Sequence, residues 1–181
     1  LLSQIKKNNL QKKFLLSHPI AGSEKSGFLN SNENLFEDKV SILLKHKGIS
    51  KNTLQISQEF WSELGSKTFN LDSKFHDRIF SLTSHIPHIV AFSLISLLSK
   101  RKDLDYKKFM GGGFKDFTRI AASDPKMWEN IFTLNKKNIL KDINRLQEEL
   151  NTFKKLLLKD EQRKIESHLK KIKKTKESLN K

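Results

Sequence analysis

The chain contains no cysteine. Disulfides, thiolate metal sites and cysteine nucleophiles are thereby excluded, and a reducing compartment, the cytoplasm, is the expected location. Arginine is scarce. Of 35 basic residues only five are arginine (Arg78, Arg101, Arg119, Arg145 and Arg163), and the rest are lysine. A net charge of +15 raises nucleic acid as a partner class. Specific base and phosphate recognition, however, favours the planar arginine fork, and a Lys- and Asn-rich composition follows from AT-rich coding whatever the function. No specific nucleic-acid partner is expected. Long apolar runs are also wanting. The longest, residues 86–98, is interrupted by Pro87 and His88 and falls short of the roughly 20 residues that cross a bilayer, so no membrane partner is expected. No secretory signal is visible. G-x-G-x-x-G occurs nowhere, so the dinucleotide fingerprint is missing from the chain. The first residue is Leu, which suggests a start downstream of the gene's own.

What is present falls into two halves. Residues 12–16 (KKFLL) and 39–44 (KVSILL) read as strands. Residues 52–64 carry apolar side chains close to helical spacing, and residues 67–69 read as a last short strand. Strand, strand, helix, strand is the tail of an α/β sheet, too small to stand alone, and its free edge asks for a partner upstream. From Asp72 the pattern is helical, with a wide apolar stripe reaching about Leu98 and a kink or break expected at Pro87. Gly111, Gly112 and Gly113 read as a flexible turn. Asp124 and Pro125 form a helix start, one as cap and one at the first helical position. The helix expected after them is long, with a heptad-like seam of Ile139, Ile143, Leu146, Leu150, Phe153 and Leu157. The phase breaks over residues 159–164, and the Lys-rich tail is expected to fray.

Several polar residues are candidates for chemistry. His18 follows a strand and precedes Pro19, a place where open α/β sheets bind ligands. Imidazole titrates near neutral pH, which suits proton transfer, although a loop histidine can be incidental. Arg119 offers two-pronged carboxylate binding, against a surface salt bridge. His85 and His88 share a helical face. No third ligand is clearly placed beside them, so no metal is expected, and a buried hydrogen-bonded pair is the plainer reading. Trp128, one turn into the capped helix, suits core or pocket wall equally.

Three segments stand together: residues 18–27 (HPIAGSEKSG), residues 84–88 (SHIPH) with His76-Asp77 upstream, and residues 111–128 (GGGFKDFTRIAASDPKMW). Each resembles a segment of the prephenate and arogenate dehydrogenases, in the same order and with similar spacing, across roughly residues 10–158. The resemblance implies a mostly α chain, in which an all-α dimerisation domain follows the last strands and helix of a Rossmann-type nucleotide-binding domain. The expected division is residues 1–70 for the nucleotide-binding remnant, 71–158 for the helical substrate-binding and dimerisation domain, and 159–181 for a Lys-rich helical tail. The implied reaction is oxidative decarboxylation of prephenate to 4-hydroxyphenylpyruvate in tyrosine biosynthesis, with NAD as hydride acceptor. Arogenate and NADP stay open, and the isolated chain is expected to be inactive. The implied roles are His18 as the base at the ring hydroxyl and Arg119 on the ring carboxylate, with His88 holding the substrate side chain. Ser23, Gly112 and Trp128 would line the substrate site, and His85, Glu24, Asp116 and Lys115 would support or gate it. Glu24 would make an ionic contact with Asp116 or Arg119. Cofactor-binding residues are unassigned, and a homodimer through the helical domain is implied. The alternative of a different class is a basic helical interaction module without catalysis.

Overall fold

The computed structural model describes residues 7–8, 10, 13–22, 29, 31–101, 105–159 and 161–180. Ser23, Glu24 and Lys25 lie outside the described residues. The described chain forms two compact units, residues 1–136 and 137–181.

In the first unit, three described strands form a sheet in the order β1-β2-β3: β1 (Leu16–Pro19), β2 (Val40–Lys45) and β3 (Lys67–Asp72). β1 runs antiparallel to β2, with His18 opposite Ile42. β2 and β3 are parallel, with Ile42 opposite Phe69. The parallel pair is joined by α1 (Lys51–Glu63), whose first turn is capped by Ser50 accepting from the Thr53 N–H. Apolar Ile42 and Leu43 are buried in the central strand, and Trp61 of α1 packs edge-on against Phe36 at 5.2 Å. Buried Ser41 is satisfied by Ser66 at 2.8 Å, and Ser66 in turn donates to the Lys39 carbonyl. This answers the requirement that buried hydroxyls be paired.

The first strand corrects the expectation of a strand over residues 12–16. It begins at Leu16 and contains His18, because pairing with β2 selects the register. Pro19 ends it without loss, since β1 is an edge strand in the described sheet and proline has no N–H to offer a ladder.

β3 passes straight into helix. Asp72, the last strand residue, accepts from the backbone N–H groups of Lys74 and Phe75 and starts α2 (Ser73–Phe80). A π-helical turn, Ser81–His85, follows, and then α3 (Ile86–Ser99). The kink or break expected at Pro87 is absorbed here. Proline offers no N–H to the turn before it, the widened turn takes up the mismatch, and Pro87 falls in the first turn of α3. Helical structure therefore continues from Ser73 to Ser99, long and apolar enough by length and composition alone to cross a membrane.

The three glycines do not form the expected turn. Gly111 caps α4 (Gly112–Thr118), and Gly112 and Gly113 open its first turn, none with positive φ. A 3-10 turn, Arg119–Ala122, leads to α5 (Pro125–Leu134), where Asp124 accepts from the Met127 N–H as expected. The helix expected to run on from there instead ends at Asn135, and α6 spans Lys136–Leu158. Asn135 is a poor helix former whose amide is recruited elsewhere. In the second unit, Phe153 of α6 meets His168 of α7 (Gln162–Ser178) edge-on at 5.1 Å. Helical structure in the tail extends as far as Ser178.

Candidate active site

Two imidazole clusters lie on the stretch from β1 to α5. The first joins the sheet to α2. Nδ1 of His18 and Nε2 of His76 lie 2.8 Å apart, and Nδ1 of His76 lies 3.0 Å from Oδ1 of Asp77. The His18, His76 and Phe80 rings pack against one another with centroids 4.6–5.1 Å apart. Burial, and then the neighbouring His76, hold the His18 imidazole below its ordinary value of 6.5, so the neutral form, which can accept a proton, is favoured. His18 opens onto a cleft of about 670 Å³ walled by Ile20, Ala21, Gly22 and Lys39 on one side and by Phe80, Thr83 and Ser84 on the other. That volume lies within the usual range of small-molecule sites, roughly 300–1,000 Å³.

The second cluster surrounds Trp128. The indole is buried and stacks on His88 at 3.7 Å and 28°, and His85 approaches it edge-on at 6.0 Å. Phe92 and Phe132 complete the aromatic packing. Nδ1 of His88 donates to the Ser84 carbonyl at 2.9 Å. The Asn135 amide donates both to the Asp77 carbonyl at 2.7 Å and to Nδ1 of His85 at 3.2 Å. Burial lowers the titration of both histidines. His76 is the next cause for His85, while the Ser84 bond partly opposes the shift at His88. Nε1 of Trp128 is buried and finds no acceptor among the described residues. A buried donor left unpaired costs about 1–3 kcal/mol.

The π turn links the clusters. Ser84 lines the His18 cleft and its carbonyl anchors His88. One residue later His85 turns toward Trp128. Gly112, Lys115, Asp116 and Arg119 are exposed on α4 and the 3-10 turn that follows it. Both elements pack on α3, which carries His88. A Cβ added at Gly111, Gly112 or Gly113 would meet nothing within 4 Å in the chain. The expected contact of Glu24 with Asp116 or Arg119 lies outside the described residues. Among the described residues no group of three or more His, Asp or Glu is placed to hold a metal.

The prephenate dehydrogenase dimerization-domain family matches residues 72–171, more than half of the chain, and the nucleotide-binding-domain family of the same enzymes matches residues 1–70. The chain belongs to the prephenate dehydrogenase family. It is 37% identical over 129 residues to a prephenate dehydrogenase of Bacillus subtilis, covering 70% of this chain and 35% of that protein. It is 33% identical over 122 residues to a cyclohexadienyl dehydrogenase of Zymomonas mobilis, covering 66% of this chain and 42% of that protein. Among solved structures, the prephenate dehydrogenase of Aquifex aeolicus, in complex with hydroxyphenyl propionate and NAD+, superposes with a TM-score of 0.88 at 39% identity. It covers 96% of this chain and 61% of that one. The chain thus spans less than half the length of these curated relatives, and its fold is the family's: the end of a Rossmann-type sheet followed by helices.

Sequence reasoning assigned no role to His76, Asp77 or Asn135, which the structure places against the candidate histidines. The adjacent His76-Asp77 pair, in a chain with only six histidines, was the available signal. Asn135 gave no such signal, since the apolar period runs through it.

Proposed function

We propose that this chain is the carboxyl-terminal part of an NAD-linked dehydrogenase that converts prephenate to 4-hydroxyphenylpyruvate by oxidative decarboxylation. The observation that carries the proposal is His18. It stands at the end of an edge strand, on the wall of a ligand-sized cleft, with one ring nitrogen engaged by His76 and its neutral form favoured. The Aquifex aeolicus relative was solved with a phenolic acid and NAD+, and the proposed chemistry matches that pair.

The cofactor, when bound, accepts a hydride from the ring carbon bearing the hydroxyl. The cleft beside His18 has room for a ring and mixes apolar with polar walls. Nothing in the sequence forms a glycine-rich phosphate loop, so the residues that hold NAD stay unassigned. His18 accepts the hydroxyl proton on Nε2. Arg119 binds the ring carboxylate and His88 the side-chain end, with its Nδ1 already committed to Ser84. Trp128, stacked on His88, forms the wall behind the side-chain end of the substrate. Ser23 and Gly112 line the mouth of the site, with His85, Glu24, Lys115 and Asp116 supporting it. Loss of carbon dioxide makes the ring aromatic, so the protein's task is chiefly to position groups and place charge.

Residues 1–70 form the remnant of the nucleotide-binding domain, residues 71–158 the substrate and dimerisation domain, and residues 159–181 a basic tail. The enzyme is a cytoplasmic homodimer joined through the helical domain, which covers exposed apolar residues of the Ser73–Ser99 stretch such as Leu82, Ile95 and Leu97. The test is NADH formation by the chain joined to a complete nucleotide-binding domain, with prephenate and arogenate offered separately. Turnover of prephenate is expected. Preference for arogenate would move the assignment to arogenate dehydrogenase, and a folded, NAD-binding protein inert with both would remove the role given to His18. The 181-residue chain alone is expected to form no NADH.

A further inference from the structure

We propose that His76 and Asp77 are positioning residues that hold His18 in the tautomer whose basic nitrogen is Nε2, the one not bound to His76. The inference rests on the reading of His18 given above, and it follows from the order of the hydrogen bonds. The Asp77 carboxylate can only accept, so the 3.0 Å contact makes Nδ1 of His76 an N–H donor. The neutral His76 ring then carries its lone pair on Nε2. Nδ1 of His18, 2.8 Å away, must donate to that lone pair. The proton of His18 is thereby placed on Nδ1, and Nε2 is left bare.

The reacting step balances on that nitrogen. The substrate O–H bond breaks, its electron pair stays on oxygen, and the proton bonds to Nε2 of His18. The imidazolium that forms keeps its Nδ1–H on His76, which is held in turn by the Asp77 anion. The Asp77 side chain is half exposed and that of His76 only 15% exposed, so the chain runs from a buried imidazole outward to a carboxylate in contact with water. Ring packing fixes its geometry. Phe80, one helical turn beyond His76, lies against both imidazoles at 4.6 and 4.8 Å. His76 is further tied in place because the Asp77 backbone carbonyl accepts from Asn135.

Asp77→Asn reverses the logic. An amide N–H facing Nδ1 of His76 moves the His76 proton to Nε2, which then donates to His18 and protonates the wrong nitrogen. His76→Leu removes the constraint altogether. His76→Gln keeps it, since the amide oxygen reaches the place of Nε2 and accepts from His18. Two readouts test this. The first is nitrogen-15 NMR of the imidazoles in the full 181-residue chain. His18 is expected to show a protonated Nδ1 and a bare Nε2 in the parent and in His76→Gln, and to lose that pattern in Asp77→Asn and His76→Leu. The second is turnover by the chain joined to its nucleotide-binding domain. There Asp77→Asn and His76→Leu are expected to lower kcat about 10- to 100-fold with KM nearly unchanged, and His76→Gln to recover most of it. An unchanged His18 tautomer in Asp77→Asn and His76→Leu overturns the proposal, as does kcat within twofold of the parent in both folded variants. If the parent turns over neither prephenate nor arogenate, the functional reading fails, and the NMR pattern alone decides the positioning role.

Discussion

The two imidazole clusters use the same side chain in opposite ways. His18 is bound by another side chain, in a line that ends on the Asp77 carboxylate. His88 is bound by a backbone carbonyl of its own helix and lies flat on a buried indole. Burial lowers the titration of both, so desolvation does not distinguish them. The partner does. A side chain with its own proton to place sets the tautomer of His18 from outside the strand. A helix carbonyl sets that of His88 from within, and the stacked indole adds packing. The first arrangement suits a group that must take and release a proton. The second suits a group that must stay where it is and hold something.

The largest effect should come from breaking the first cluster at its end. His18→Asn is expected to lower kcat by roughly 10²- to 10⁴-fold, the usual worth of a positioned general base, with NAD affinity unchanged by titration calorimetry. A fall in melting temperature with normal turnover of the folded fraction would mark His18 as structural. Next is the carboxylate anchor. Arg119→Gln removes a charge-assisted pair worth about 1.5–3 kcal/mol and is expected to raise KM for prephenate about 10- to 100-fold; an unchanged KM would return Arg119 to an ordinary surface role. Smaller still is Trp128→Phe, which keeps the ring and removes the unpaired N–H. It is expected to raise KM several-fold, by loosening the wall on which His88 stacks, and to leave the melting temperature nearly unchanged. A lower melting temperature with KM intact would make the indole purely a core residue.

The smallest effect tests what the clusters share. His18, His85 and His88 all titrate below 6.5 in the folded chain, chiefly through burial. Below that value the unfolded chain binds more protons than the folded one, so the stability these groups contribute is present above 6.5 and is lost as pH falls through it toward the folded values. Thermal unfolding from pH 8 to pH 5.5 should show a falling midpoint. Replacing the three histidines one at a time should flatten that slope, and a slope indifferent to all three would place the acid sensitivity elsewhere.

Much of this was legible beforehand because it depends on neighbours in the chain. The α1 helix followed from apolar spacing, and the α5 start followed from Asp124 beside Pro125, whose capping needs only three residues. Strand β2 followed from its run of aliphatic residues. The errors arose where a distant partner intervenes. β1 was placed too early because its register is chosen by β2, more than twenty residues away. The helix after Asp124 was drawn through Asn135 because the side chain that ends it reaches back to Asp77 and His85. Pro87 was expected to kink or break the helix, but a widened turn lets the helix pass, a solution set by how the helix packs.

By itself, then, the sequence determined the family, through three short segments in order, and it singled out His18, Arg119 and His88 as the candidates now proposed for the chemistry. It determined local elements wherever a cap or an apolar period acts within a few residues. Only the tertiary structure decided that His18 meets His76 across 58 positions of chain, that Asp77 stands behind them, and that His88 lies on Trp128. These pairings depend on strand register and on the direction in which one helix leaves a sheet. Both are settled by the burial of many residues at once, and no short stretch of sequence encodes them.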